Sequence, residues 1–299
     1  MGYGWGPAVA VGNLAVADVI IASGSLWVAS DTANQVARIN PTTQATIATI
    51  TGFATPTRGL HYAFGDIWVG DGNGVNRVST TTNAVTATIS VPTVRCLTSD
   101  GTYVYAGHNS GIERIDPSTN TSVFTSIGTI TDLVVGNGFL WATTSSGLLK
   151  RNLGTVAAVA TITNTTNNFQ SVNYLFSDIW ASVRGAGATN SRVLRINAST
   201  NAVIATITQA SFGTDLFYQM DSNSVELCIG SSSGVVFINA SSNTFASLLV
   251  SSGTSTNITG LAANTDNRIW ATVSDPSSNS FVRRIDLVSG IFTDGASHL

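Results

Sequence analysis

Arg58 and Arg95 stand at matching places in two neighbouring sequence units, and His61 follows the first of them by three residues. Asp132 and Asp215 occupy the adjoining place in two later units. Two guanidiniums opposite two carboxylates, with an imidazole close by, form a set that holds a polar or anionic group through charge-assisted hydrogen bonds. The set is poorer equipment for catalysis. The chain has three histidines (His61, His108 and His298), two cysteines (Cys96 and Cys228) and two glutamates, Glu113 and Glu226. No His/Cys cluster with metal-ligand spacing exists, and the glycines sit in short turn segments, not in a phosphate cradle between strand and helix. No cofactor is expected. An aspartate-based calcium site at Asp275, in DPSSN, is a lesser expectation.

The elements that position these residues repeat about every 40 residues. Aligned on an aromatic, the units read GSLWVASD from Gly24, GDIWVGDG from Gly65, GTYVYAGH from Gly101 and GFLWATTS from Gly138. SDIWASVR from Ser177, SVELCIGS from Ser224 and NRIWATVS from Asn267 complete the series, with Cys228 in the aromatic place of the sixth unit. Each unit resolves into four short strands. Strand a precedes the aromatic, strand b carries it, strand c carries a basic residue, and strand d is a Thr/Val/Ile run such as ATIATI from Ala45. The a–b links (SGS, FGD, DGT, GNG) are tight hairpin turns, and the c–d links (NPTTQ, DPSTN, NASTN, NASSN) are equally regular. No segment keeps a helical period. Seven four-stranded meanders bury both sheet faces only when packed around an axis, so the expected fold is all-β, a seven-bladed β-propeller of four-stranded antiparallel blades.

The G-x-I/L-W and R-I-D/N-P patterns, from about residue 16 to 295, resemble the YVTN and NHL-type propeller repeats. They are more distantly similar to the virginiamycin B lyase-like propellers. That second likeness implies a lyase with a catalytic histidine, a partnering glutamate and a metal in late blades. The sixth and seventh units contain no histidine before His298.

A residue repeated in every unit serves the scaffold. The aromatics Trp27, Trp68, Tyr105, Trp141, Trp180 and Trp270 are expected to pack the core. The strand-c residues Arg38, Arg77, Arg114, Lys150, Arg195 and Arg284 are expected to lie on neighbouring aromatics and donate to carbonyls or to the Asn or Asp two residues on, with Phe237 replacing the cation in the sixth unit. Cys96 and Cys228 read as buried hydrophobes. Function belongs where the units differ. At the start of strand a, one slot runs Ala17, Arg58, Arg95, Thr131, Gln170, Thr214, Thr259, and the next runs Asp18, Gly59, Cys96, Asp132, Ser171, Asp215, Gly260. The ligand-site candidates are therefore Arg58, His61, Arg95, Asp132 and Asp215, unless these arginines and aspartates merely satisfy one another around a water-filled channel. Long loops on the same face add Arg184 and Arg192, which bracket the insertion VRGAGATNSR, as partner-binding candidates.

Net charge is −3, and only Lys150 among thirteen basic residues is a lysine, which argues against a nucleic-acid surface. No apolar run is long enough for a membrane span, and no signal peptide is seen. Residues 1–15 are expected to be an N-terminal arm or latch strand, with residues 16–299 forming the propeller. The segment MGYGWG with Trp5 reads as a docking arm or a frayed terminus. The ring is closed either by a fourth strand within GIFTDG from Gly290 or by residues from Pro7 to Gly12. The expected function is a non-enzymatic binding or assembly module. It would recognise a protein partner or glycan through the loop-rich face, as a phage virion component (decoration or tail protein) or an extracellular surface protein, with higher-order assembly open to it. The alternative is a channel-mouth lyase or hydrolase with His61 or His108 as base.

Overall fold

The structure is a computed structural model that describes residues 2–10, 16–31, 33–55, 58–163, 168–184, 191–208, 217–223, 225–250, 257–263, 268–274 and 280–288. It contains seven antiparallel four-stranded sheets arranged as the blades of a propeller, and no helix among the described residues. In blades 1–6 the four strands follow chain order. Strand a of each is innermost: Val16–Ala22, Arg58–Ala63, Val94–Ser99, Asp132–Gly136, Asn168–Leu175 and Phe217–Ser222.

Both faces of each blade are apolar, so the core lies between blades. One cluster joins Trp27, Val36 and Ile50 of blade 1 to Leu60, Ile67 and Val78 of blade 2. The next joins Trp68 and Val75 of blade 2 to Leu97, Val104 and Ile115 of blade 3. Strand b is buried along its length (Ser25–Ser30 in blade 1), as a strand enclosed on both faces must be. Strand d alternates instead, burying chiefly one Ile per strand, such as Ile50 or Ile89.

The repeated cation is a clamp between blades. Arg38 lies 5.0 Å over the Trp27 ring, and Arg77, Lys150 and Arg195 take the same place over Trp68, Trp141 and Trp180. Each also donates into the c–d turn of the following blade. Arg38 reaches the Thr80 carbonyl at 2.6 Å and Asn83 Oδ1 at 2.9 Å, and Arg195 reaches the Ala240 carbonyl and Asn243 Oδ1. The acceptor asparagines Asn83, Asn201 and Asn243 sit at φ +56°, +62° and +58°, a conformation asparagine tolerates best among residues with a side chain, so one residue closes the turn and receives the clamp. The arginine Nη acceptors thus belong to the next blade, while Nε donates within the blade, to Ser25, Asp66 and Asp178. Among the described residues only Arg284 bonds the acid two residues on, Asp286. Arg114 lies over Tyr103, not over Tyr105.

Blade 7 differs. Its own strands Asn257–Ala263, Ile269–Ser274 and Phe281–Val288 are joined on the outside by Gly2–Ala10 from the other end of the chain. GIFTDG lies outside the described residues, and the outer position is taken by this N-terminal strand. The paired run begins at Gly2, five residues ahead of Pro7, and Trp5 lies within the sheet, opposite Ile285 and under the Arg283 guanidinium. The register breaks between Trp5 and Ala8, which places Pro7, with no N–H to give, where no ladder bond is required.

This closure explains the odd chemistry of blade 6. Because the outer strand of blade 7 comes from the other end of the chain, no c–d hairpin joins it to strand c, and a cation on strand c of blade 6 would lack those acceptors. Phe237 and Cys228 are cross-strand partners there in place of Arg and Trp, and the Tyr3 ring stacks on Phe237 with centroids 3.9 Å apart. The Tyr3 hydroxyl donates to the Glu226 carboxylate, and burial together with that carboxylate pushes the phenol well above its ordinary range. Replacing Tyr3 with alanine is therefore expected to cost about 2–3 kcal/mol, read as a lower denaturant midpoint. Tyr3→Phe, which keeps the stack but leaves Glu226 without its donor, should lose less. A Tyr3→Ala protein unfolding with the wild type would mean the N-terminal strand does not hold the ring shut.

Candidate functional site

A bulge at one recurring place builds the site. Near the start of strand a the register slips in blade 1 between Val16 and Asp18, in blade 3 between Val94 and Cys96, in blade 5 between Phe169 and Ser171, and in blade 7 between Ile258 and Gly260. Blades 2 and 6 slip close to that level, between Arg58 and Leu60 and between Phe217 and Met220, and the paired residues of blade 4 show no slip. The extra residues are Ala17, Arg95, Gln170 and Thr259. A bulged residue leaves the alternation of the strand and its side chain is re-aimed, here toward the axis. Arg58, Thr131 and Tyr218 complete a ring of one residue per blade around a cavity of about 450 Å³.

Blade 6 contributes Tyr218 and Gln219 at the two slots where sequence alignment places Thr214 and Asp215. The misalignment has a plain source, because Thr214–Asp215–Leu216 copies the Thr131–Asp132–Leu133 of blade 4. Asp215 itself lies outside the described residues.

The two arginines are held differently. Arg58 forks onto Asp31, from the b–c turn of blade 1, with Nη2 2.7 Å and Nε 3.3 Å from its oxygens. Asp31 also lines the cavity, and sequence reading missed it because it belongs to another blade. Arg95 donates Nε to Asn109 Oδ1 at 2.6 Å, and among the described residues its Nη edge has no acceptor. Both arginines are exposed.

One residue further along strand a, the polar side chains fasten blade to blade. Asp18 accepts from the Leu60 N–H of blade 2 at 2.7 Å and from its own neighbour Val19. Asp132 accepts from the Ser171 hydroxyl at 2.6 Å and the Val172 N–H at 2.9 Å, both in blade 5, and from Leu133. Gln219 accepts from Leu261 of blade 7. Asp18 and Asp132 also line the cavity, so they are seam and wall at once. Burial raises each carboxyl to about 6 against the pull of these donors.

His61 lies two residues deeper and is not among the cavity-lining residues. Its Nε2 is 2.8 Å from Ser99 Oγ of blade 3, and burial drops its pKa to about 4. Asn173 of blade 5 with Ser222, and Asp221 of blade 6 with the Ala263 N–H, make the corresponding bonds at that level. His108 caps a b–c turn. Its Nδ1 accepts from the Ser110 N–H, as Ser30, Asp71 and Thr144 cap the turns of blades 1, 2 and 4. Arg184 is exposed at the end of Asp178–Arg184, and Arg192 opens Arg192–Asn197. The insertion between them, and Asp275, lie outside the described residues. Among the described residues no group of three His, Cys, Asp or Glu is placed to hold a metal, and Cys96 and Cys228 are buried free thiols.

No protein-family model matches the chain, and no curated protein matches it in sequence. Its shape is shared by 1326 solved chains, which makes the ring a common scaffold and not a clue to chemistry. One of them is a chain of Kuenenia stuttgartiensis hydrazine synthase, with a TM-score of 0.78 over 94% of this chain and 98% of that chain. At 13% identity the likeness is one of fold.

The seam carboxylates have a pH signature. Asp132 holds its proton more tightly folded than unfolded, so its ionisation costs stability. That cost is absent below its ordinary value of 3.8 and complete above about 6. His61 acts in the opposite sense, destabilising the fold as pH falls below 6.5. Comparison with Asp132→Asn isolates the carboxyl. Wild type should gain on the variant by on the order of 3 kcal/mol between pH 7.5 and pH 4, measured by chemical denaturation. A constant gap between the two proteins would show that Asp132 is not desolvated.

Proposed function

We propose that this propeller is a non-enzymatic binding or assembly module whose recognition site is the mouth of the central channel. One observation carries the reading. Seven side chains, one from near the start of each inner strand and four of them on bulges, line one cavity without following the repeat. Core positions repeat from blade to blade, whereas Ala, Arg, Arg, Thr, Gln, Tyr and Thr around one cavity do not. An asymmetric polar ring on a symmetric scaffold is suited to hold one ligand in one orientation. The volume of about 450 Å³ suits a single small group or the tip of a larger partner.

Catalysis gains no comparable support. The two histidines that were candidate bases are engaged, His61 with Ser99 and His108 with the Ser110 N–H. The oxygens of Asp132 are spent on the Ser171 hydroxyl and Val172 N–H of blade 5 and on the N–H of Leu133. The repeat pattern, similar to YVTN and NHL-type units, is compatible with a binding role. The lysine-poor, Thr/Ser/Asn-rich composition favours a virion or extracellular setting, with Arg184 and Arg192 as further partner contacts on the same face. A panel of glycans and small polar ligands, screened by thermal shift against wild type and the Arg95→Ala/Gln170→Ala double variant, tests the proposal. Ligands should raise the melting temperature of wild type alone and be recovered unchanged. Turnover of a bound ligand, or shifts equal in both proteins, would refute it.

A further inference from the structure

The ring is not uniformly polar, and its asymmetry names a ligand. Blades 2 and 3 supply the two guanidiniums, and blades 5 and 6 answer with the Gln170 amide and the Tyr218 ring. The lining carries two guanidiniums and three carboxylates, held in different ways. Arg58 is neutralised by its fork onto Asp31 at the rim. Asp18 and Asp132 aim their oxygens at backbone N–H groups of blades 2 and 5. Of the two cations, Arg95 alone is not paired with an opposite charge among the described residues. Asn109 holds it by Nε only, which fixes the plane of the guanidinium and leaves the Nη edge toward solvent. A guanidinium oriented through Nε and open at its outer edge is matched by a carboxylate.

Resting on the binding reading above, we infer that the channel mouth takes a carboxylate-bearing sugar, a uronic or sialic acid unit, with its carboxylate on Arg95. The remaining surfaces fit the rest of such a molecule. The Arg58–Asp31 pair offers hydroxyl groups both donors and acceptors, and the Gln170 amide, which gives one N–H to the Phe169 carbonyl, keeps its oxygen and second N–H for the same purpose. Tyr218 supplies an aromatic ring for the apolar C–H side of the sugar. The hydroxyls of Thr131 and Thr259 are already bonded, to Thr143 and Phe169 and to Val16 and Thr272, so these residues act as walls and not as donors. The cavity of about 450 Å³ holds one such unit, with further sugars extending to solvent. Asn109 is a positioning residue, acting through Arg95.

Calorimetric titration of the full chain with D-glucuronate and with N-acetylneuraminate tests this, with glucose, acetate and a dipeptide as controls. At least one acidic sugar should bind about tenfold or more tighter than glucose and acetate. Arg95→Ala should lose about tenfold or more, Arg95→Lys should retain part of the affinity, and Asn109→Ala should lose less than Arg95→Ala. Unchanged circular dichroism of each variant would confirm that it folds. Acetate binding as tightly as the sugars would reduce the site to a simple anion site, and a preference for the dipeptide would make it a peptide-carboxylate site. Either result overturns the inference. Failure of every acidic sugar while a neutral glycan binds in an Arg95- or Gln170-dependent way would sink the inference and leave the binding reading standing. Indifference of every ligand to the ring substitutions would sink both.

Discussion

A sheet that is apolar on both faces cannot end in water, and the whole molecule answers to that constraint. Each blade is covered by the blade before it and the blade after it, so the first and last must meet. The cost of leaving them apart would be two uncovered faces, each carrying a cluster such as Val19, Leu26 and Val28 on one side and Ala262, Trp270 and Val282 on the other. The chain closes the circle by giving its first strand to its last blade. Val9 of that strand belongs to the cluster between blades 7 and 1, while Tyr3 and Trp5 pack on the cluster between blades 6 and 7. One strand therefore spans two inter-blade cores.

Away from that closure the seams are polar at their two radial limits and apolar between. At the outer limit the strand-c cation reaches across to the next c–d turn. At the inner limit short polar side chains, Asp18, Asp132, Gln219 and Asp221 among them, satisfy N–H groups of the neighbouring inner strand. Inner strands have no ladder partner on their axial side, so these bonds satisfy donors that the sheet cannot. Charged residues near the axis thus have structural duties before any functional one. The exposed pair Arg58 and Arg95 stands apart from that seam, although Arg58 is tied to Asp31 at the rim.

The bulge separates those duties. Without it, successive residues of strand a would point alternately to the two neighbouring blades, and none would look into the channel. In blades 1, 3, 5 and 7 one additional residue frees a side chain for the axis while the next resumes the seam. Blade 2 shows the close quarters involved. Gly59 sits at φ +70°, and a Cβ there would come within 3.2 Å of the Arg95 carbonyl oxygen and the Cys96 Cα. Glycine at that point lets blades 2 and 3 approach, bringing the two arginines onto adjacent positions of the ring.

The repeat itself dictated seven blades of four strands, because strand length, turn residues and two-sided hydrophobicity are local properties written in each unit. The structural burden of the aromatics and cations was equally legible from their recurrence. Partners across a seam were not, since Arg58 meets Asp31, Arg38 meets Asn83 and His61 meets Ser99 only after the ring has formed. Nor was the register of blade 6, where a copied Thr–Asp–Leu triplet masked a four-residue offset. Which arginine remains open to a ligand depends on how neighbouring inner strands stand around the axis. Contacts between segments tens of residues apart in the chain settle that, and no single unit contains both halves of them.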